Sequence, residues 1–221
     1  MRRGSDQQSH NTIIWQYRNF ADFVAILQHK ALWFSRIDSL KDPFEARYDY
    51  PFLFSFARSL EDYERTGCVN CWTMDSDESE LMWHAYAPHY GVAIRSTIGK
   101  LQRSIIDYAD DVQYGSVRYD FKPGKEIPRE RPPFRKKRHF RAEREYRAFL
   151  PPDSTREITL PGMLVRVDLN ILITALWVSP YSPEWFESLV TKEKDMYGLH
   201  DIKTARRRTQ KKRQEKRDSL L

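Results

Sequence analysis

Scarcity of glycine is the feature that most limits what this chain can fold into. The 221-residue sequence has eight glycines, and no two of them lie closer together than Gly91 and Gly99. Walker A loops and dinucleotide-binding Gly-x-Gly-x-x-Gly turns need clustered glycines, because their backbone amides must approach phosphate closely. The sequence also lacks a Gly-x-Ser-x-Gly nucleophile elbow. These glycine-dependent architectures are therefore excluded.

Strand-like and helix-like segments alternate along most of the chain. Alternation, or β-branched and aromatic composition, predicts strands over 12–18, 31–36, 68–74, 91–95, 111–119, 143–150, 162–168 and 174–179. Capping and apolar spacing predict helices after Asn19, over about 52–65, from Ser76 to Ala87, for a turn or two over 134–142, and after Ser182.

This mixture predicts an α+β fold with a split or mixed β-sheet core and short helices. We expect a single globular domain over residues 12–200, preceded by a flexible N-terminus at 1–11. Residues 201–221 are predicted to form a basic C-terminal tail, either disordered or a solvated helix, because it has little apolar surface to bury.

Positive charge is concentrated in two segments. The net charge is +6, yet residues 122–147 and 203–221 each carry +7, which leaves −8 for the rest. The candidate nucleic-acid contacts are Arg135, Lys136, Lys137, Arg138, Arg206, Arg207 and Arg208. Such clusters bind phosphates without regard to sequence, and the neighbouring Phe134, His139 and Phe140 are suited to stacking on unpaired bases. Nucleic acid or the ribosome is therefore a candidate partner, although the same clusters also fit a solvated surface.

Other features bear on the cellular compartment. The N-terminus has no apolar segment typical of a signal peptide, and the longest largely apolar run, Leu169 to Val178, is too short to span a bilayer. Two cysteines three positions apart do not suggest a disulfide scaffold. We expect a cytoplasmic protein with no membrane partner.

Cys68, Cys71, His84 and His89 have the spacing of a zinc finger. The residues between them are wrong for that motif, because acidic residues replace the aromatic expected after the second cysteine and Pro88 interrupts the helix before His89. Zinc is therefore not expected, and no metal ligands are assigned.

Several sequence blocks resemble the bacterial domain of unknown function 2971 family. The blocks are WQYR at 15–18, LWFS at 32–35, DPFE at 42–45, CWT at 71–73, MWHAYA at 82–87, GVAI at 91–94 and EREYR at 143–147. Their order and spacing match over about residues 12–180. The activity of that family is poorly defined, so the resemblance does not itself imply a reaction.

A second resemblance is to ADP-ribosyltransferases of the Arg-Ser-Glu type. These enzymes carry an arginine on the first core strand, a serine on a following strand and a Glu-x-Glu pair on a later strand. Arg18, Ser35 and Glu143-x-Glu145 occur here in that order. The resemblance implies an ADP-ribosyltransferase-like fold with NAD as co-substrate. Ser35 departs from the family pattern, because it lacks the Ser-Thr-Ser context.

The resemblance implies a role for each of these residues. Arg18, with Tyr17 beside it, would bind the pyrophosphate of NAD, and Ser35 would contact the nicotinamide ribose. Glu145 would stabilise developing positive charge. Glu143, expected two residues away on the same strand face, would orient or deprotonate the acceptor.

Two functions remain open at this stage. The first is an NAD-dependent ADP-ribosyltransferase-like toxin or phage-defence effector acting on nucleic acid or its machinery, with a cognate antitoxin or immunity protein as a further partner. The alternative is a non-catalytic nucleic-acid-binding module, of which a zinc-dependent version is less favoured.

Overall fold

A computed structural model describes residues 8–40, 66–121, 132–153, 156 and 158–207. Its strands are β1 (Ile13–Asn19), β2 (Ala31–Arg36), β3 (Cys68–Met74), β4 (Gly91–Thr97), β5 (Gln113–Ser116), β6 (Arg118–Phe121), β7 (Arg135–Lys137), β8 (Glu145–Leu150), β9 (Gly162–Arg166), β10 (Ala175–Val178) and β11 (Lys203–Arg206). Its α-helices are α1 (Phe20–His29), α2 (Glu80–Tyr86), α3 (Ile98–Ser104), α4 (Leu169–Leu172) and α5 (Trp185–Met196). Short 3-10 helices cover Ile37–Ser39, Pro132–Phe134 and Arg138–Glu143.

Nine strands form one sheet, and β6 pairs with β7 in a separate parallel ribbon. The main sheet has the order β11-β10-β4-β1-β3-β2-β9, with β8 also paired to β3 and β5 paired to β8. All these pairs are antiparallel except β10 with β11. The protein is a single sheet-rich domain of mixed α/β composition with several short helices.

The sheet divides at β3. On one edge of β3, Cys68 and Val69 pair with β2, whereas Thr73 and Met74 pair with β1. Both β1 and β2 therefore lie along the same edge of β3. Between the two paired segments, at residues 70–72, β1 and β2 diverge from each other. We call this divergence the fork. This arrangement agrees with the prediction of a split or mixed β-sheet core.

Buried amides hold the fork. Asn70 Oδ1 accepts hydrogen bonds from Gln16 Nε2 at 3.0 Å and from Trp72 Nε1 at 2.6 Å, and Asn70 Nδ2 donates to the Trp33 carbonyl at 2.9 Å. Gln16 Nε2 also donates to the Cys71 carbonyl at 3.1 Å. These side chains replace the missing backbone ladder, because a buried polar group must find a partner.

The main core lies on one face of the sheet, under α1, α3, α4 and α5. Helix α1 begins where the Asn19 side chain accepts from the Asp22 amide, and ends at Lys30, which has a left-handed conformation. Its buried residues Phe23 and Leu27 follow the spacing of an amphipathic helix and join the largest apolar cluster. A smaller cluster under α2, centred on Trp15 and Trp83, covers part of the opposite face.

Some predicted boundaries are confirmed and others are wrong. β2 and β3 have the predicted limits, but the predicted strand 111–119 is two strands, and α2 begins at Glu80 rather than at Ser76. Helices α3 and α4 were not predicted. The prediction of a helix over 52–65 lies outside the described residues.

The predicted tail also needs correction. Residues 203–206 form β11 at the edge of the main sheet, parallel to β10. The prediction of a disordered tail or solvated helix is therefore wrong for these four residues. Residues 208–221 lie outside the described part of the chain. Among the helices of the described segments, none has the length and apolar character needed to cross a membrane.

Candidate active site at the fork

A cleft of about 540 Å³ opens at the fork. Its walls come from β1, β2, β3, α2 and the 3-10 helix Arg138–Glu143. The polar and charged groups along it include Arg18, Asp22, Ser35, Cys71, Lys136, Glu143 and Glu145. Tyr86 and Phe140 supply aromatic surface.

All five residues predicted for NAD binding and catalysis line this cleft: Tyr17, Arg18, Ser35, Glu143 and Glu145. They come from β1, β2, the 3-10 helix before β8, and β8 itself. The divergence of β1 from β2 opens the space between them, and β3 carries β8 to the same place through the pairing of Thr73 with Glu145.

Among the cations of the cleft, Arg18 forms no ion pair with a carboxylate of the described residues. Its Nε atom is shielded from solvent and has no hydrogen-bond partner, and no ion pair joins its guanidinium to another residue in the described segments. Burial lowers the pKa of Arg18, and the nearby Asp22, Cys71 and Tyr86 partly offset this decrease. A desolvated guanidinium costs free energy unless an anion binds it, so this residue favours an anionic ligand.

Gln16 adds a second unsatisfied atom. Its Oε1 is buried and accepts no hydrogen bond from the part of the chain that the structure describes. Gln16 and Arg18 lie two residues apart on β1, so they leave the strand on the same face. Gln16 Oε1 can accept a hydrogen bond from a bound molecule, and Arg18 Nε can donate one to it.

Glu145 is a buried carboxylate held by two cations. Its Oε2 accepts from Arg147 Nε at 2.8 Å and from Arg147 Nη2, and its Oε1 accepts from Lys136 Nζ at 3.2 Å. Arg147 is 0% exposed and also donates through Nη1 to the Pro133 carbonyl at 2.7 Å. Burial alone would raise the pKa of Glu145, but Arg147 and Lys136 outweigh it and lower that pKa.

Glu143 shares Lys136 with Glu145 but lies nearer the mouth of the cleft. Its Oε2 accepts from Lys136 Nζ at 2.6 Å, and its Oε1 accepts from the Tyr86 hydroxyl at 3.4 Å. Burial, and to a lesser extent Glu145, raises the pKa of Glu143, although Lys136 opposes this. The environments thus push the two carboxyl pKa values apart, which is how active sites separate a proton acceptor from a permanently charged group.

The expectation that Glu143 and Glu145 share a strand is wrong. β8 begins at Glu145, and Arg144 has a positive φ of 46°, which ends the preceding 3-10 helix. The two carboxylates lie close together because both accept from Lys136 Nζ, and not because they alternate along one strand.

Tyr17 and Ser35 differ in how available they are. The Tyr17 ring packs edge-on against Trp83 with centroids 4.9 Å apart, and its hydroxyl accepts from the Ser79 amide at 2.7 Å. Tyr17 therefore forms a wall of the cleft and holds Ser79, the residue that precedes α2. Ser35 is partly exposed, and no described residue forms a hydrogen bond with its hydroxyl, which leaves that group free for a ligand.

The residues predicted to contact nucleic acid differ in their exposure to solvent. The prediction that Lys136 contacts nucleic acid is wrong. Lys136 is 6% exposed and paired with Glu143 and Glu145, so it cannot contact an external polyanion. Arg135 and Lys137 are partly buried, whereas Arg138 is exposed.

At the other basic cluster, Arg206 Nη2 donates to Ser182 Oγ at 3.3 Å, and Arg207 lies 3.5 Å from Glu78 in an ion pair. Arg208 lies outside the described residues. The structure does not bring this cluster to the cleft lining.

The residues with zinc-finger spacing are dispersed. Cys68 and Cys71 are an odd number of positions apart on β3, so their side chains leave opposite faces of the sheet. Cys68 belongs to the main core, where burial raises the pKa of its thiol to about 11, while Cys71 lines the cleft. His84 contacts the Tyr181 hydroxyl at 3.0 Å on the far side of α2. Within the described ranges, no group of three or more potential metal ligands comes together.

Arg147 and Gln16 are the main site residues that sequence reasoning missed. The signal for Arg147 was present, because it follows Glu145 by two residues in an alternating strand and therefore points to the same face. Gln16 gave no signal, since its role depends on where the sheet divides.

Comparison with known proteins finds no matching protein family, no matching curated protein and no matching solved structure.

Proposed function

We propose that the protein is an NAD-dependent ADP-ribosyltransferase-like toxin or phage-defence effector that acts on nucleic acid or nucleic-acid-associated machinery. One observation carries the proposal: Arg18, Ser35 and the Glu143–Glu145 pair, which are far apart in sequence, line a single cleft. The fork at β3 supports an ADP-ribosyltransferase-like fold, because a split sheet supplies a nucleotide cleft without a glycine-rich loop.

The unsatisfied atoms of the cleft fit NAD. The Arg18 guanidinium matches the pyrophosphate, since it is planar and can donate two parallel hydrogen bonds. Gln16 Oε1 is placed to accept from an amide or hydroxyl group, and the Ser35 hydroxyl is free to bind the ribose. Tyr17 shapes the wall.

The two carboxylates divide the chemistry. NAD supplies an activated ribose whose C1′–nicotinamide bond breaks, the electron pair leaving with nicotinamide while the acceptor oxygen or nitrogen bonds to C1′. Glu145, kept ionised by Arg147 and Lys136, stabilises the positive charge that develops on the ribose. Glu143 accepts the proton that the acceptor releases, as its raised pKa suits a general base.

The proposal is tested with adenylate-labelled NAD and the purified full chain. We expect transfer of label to a cellular macromolecule together with release of nicotinamide. Glu143→Gln should retain NAD binding but reduce transfer by about a hundredfold or more, because general-base catalysis supplies effects of this size. Arg18→Gln should weaken NAD binding by about tenfold, because it loses a charge-assisted contact.

Arg103→Gln is the matched control for Arg18→Gln. Arg103 is exposed on α3 and does not line the cleft, so this variant should bind NAD like the wild type. Transfer at the wild-type rate by Glu143→Gln would remove the catalytic assignment. Absence of NAD binding to the wild-type chain, with nucleic-acid binding retained, would favour the non-catalytic module instead.

A further inference from the structure

We propose that residues 138–144, at the mouth of the cleft, dock an unpaired stretch of nucleic acid and present one of its bases to Glu143. We call these residues the rim. The proposal deepens the function above by naming the acceptor. It rests on that function for the reaction, but the docking can be measured without NAD.

The rim has an inner and an outer side. It consists of the 3-10 helix Arg138–Glu143 and Arg144, whose left-handed conformation lets its amide donate back to the Arg141 carbonyl at 3.3 Å. Phe140 and Glu143 face inward and line the cleft. Arg138, His139 and Arg141 are exposed. A nucleic-acid strand lying along the outer side is therefore close to the proposed general base, because Arg141 precedes Glu143 by two residues.

The outer side carries cations that are free to bind phosphate. Arg138 and Arg141 are exposed, and neither forms an ion pair with another residue in the described ranges. Arg144 is also exposed but differs, because its Nη1 lies 3.4 Å from Oδ1 of the partly exposed Asp75. Two guanidiniums separated by two residues on one turn suit neighbouring phosphates of a nucleic-acid backbone.

Aromatic rings lie beside these cations. His139 and Phe140 have ring centroids 4.2 Å apart, and Phe140 also lies under Lys136 Nζ at 4.6 Å from its centroid. Tyr86, across from Glu143, is 42% exposed. Flat side chains next to cations form the stacking platforms with which proteins hold unpaired bases.

This geometry favours a single strand over a duplex. A base must leave its stack to reach Glu143, because base-paired atoms are inaccessible to a group inside a cleft. Lys136 is directed inward, whereas Arg138 and Arg141 are exposed cations in the described part of this segment and lie next to the proposed chemistry.

The test uses fluorescein-labelled oligo(dT), oligo(rU) and a duplex, each of about 20 nucleotides, with the full chain and no NAD. We expect single strands to bind more tightly than the duplex. Arg138→Gln combined with Arg141→Gln should weaken single-strand binding by about tenfold and lower the slope of log affinity against log salt by about 1.4, since two phosphate contacts are lost. Phe140→Leu should weaken binding by about tenfold through lost stacking.

The control combines Arg103→Gln with Lys192→Gln, which removes the same charge from exposed residues of α3 and α5. It should change affinity by less than about twofold. Equal losses in the two double variants, or equal affinity for single strands and duplex, would overturn the rim assignment. NAD-dependent labelling of the more tightly bound strand, DNA or RNA, would support it as the acceptor, and absence of label from both would overturn that assignment. If the rim variants bind normally while Glu143→Gln still abolishes NAD-dependent labelling of protein, the acceptor proposal fails and the transferase proposal stands.

Discussion

Glu145 illustrates how one residue can serve the fold and the proposed reaction together. Both of its oxygens are occupied by cations, and its main partner, Arg147, is fully buried. Removing one member of a buried pair costs more than the pair contributes, because the remaining charge stays buried without compensation. Glu145 is therefore a poor residue for a test of catalysis alone, and Glu143 is a better one.

A stability measurement separates the two carboxylates. Glu145→Gln should lower the free energy of unfolding by about 3 kcal/mol, because the fully buried Arg147 loses the carboxylate that accepts from its Nε and Nη2 atoms. Glu143→Gln should cost about 1 kcal/mol, because Lys136 keeps Glu145. Urea unfolding measures both values, and similar losses in the two variants would contradict the assigned network.

The same pair has a pH signature. The pKa of Glu145 is lower in the folded than in the unfolded chain, where it is about 4.3. Its stabilising contribution is thus complete above the unfolded pKa and is lost as the pH falls through the folded pKa. The wild-type chain should lose this contribution below about pH 4, whereas Glu145→Gln should lack that part of the acid dependence.

At the scale of elements, the fork is the feature that places the site. Asn70 is 1% exposed and its side chain makes three hydrogen bonds that connect β1, β2 and β3. Strands that separate inside a sheet leave backbone and side-chain groups that require other partners. Asn70 and Gln16 supply them.

Asn70→Ala should lower the free energy of unfolding by about 3 kcal/mol, because it leaves buried donors and a carbonyl without partners. Asn170→Ala, on the exposed side of α4, is the matched control and should cost under about 0.5 kcal/mol. Denaturant midpoints compare the two. A small effect at Asn70 would mean that the amide bridge does not hold the fork.

The elements also show what sequence reasoning can reach. The limits of β3 were predicted correctly because the apolar residues Cys68 and Met74 mark both ends, and those of β2 because Lys30 precedes its apolar run and Ser35-Arg36 closes it. β11 was missed because three of its four residues are polar or basic, and it is recognisable only through backbone pairing with β10. Lys136 was placed on the surface because a run of four basic residues hides which one points inward. The order Arg18, Ser35 and Glu143–Glu145 was visible, but the space between β1 and β2 that they share was not.

At the scale of the whole molecule, the basic C-terminal region divides at about residue 207. β11 extends the sheet, so residues 203–206 belong to the folded body, and Arg206 contacts Ser182. A chain ending at Ile202 should unfold at a lower urea concentration than one ending at Arg207, because it loses the strand paired with β10. Equal midpoints would show that β11 contributes nothing to stability.

The fork has a consequence for how this protein can change over evolutionary time. Beyond the residues that pair with β3, the edges of β1 and β2 at the fork carry backbone donors and acceptors, and these groups are the same for every residue type except proline. A molecule held partly by main-chain atoms can exchange its side-chain contacts one at a time without losing its place. The cleft can therefore acquire a new substrate while keeping an old mode of attachment, since substitution by any residue except proline leaves the backbone donors and acceptors in place.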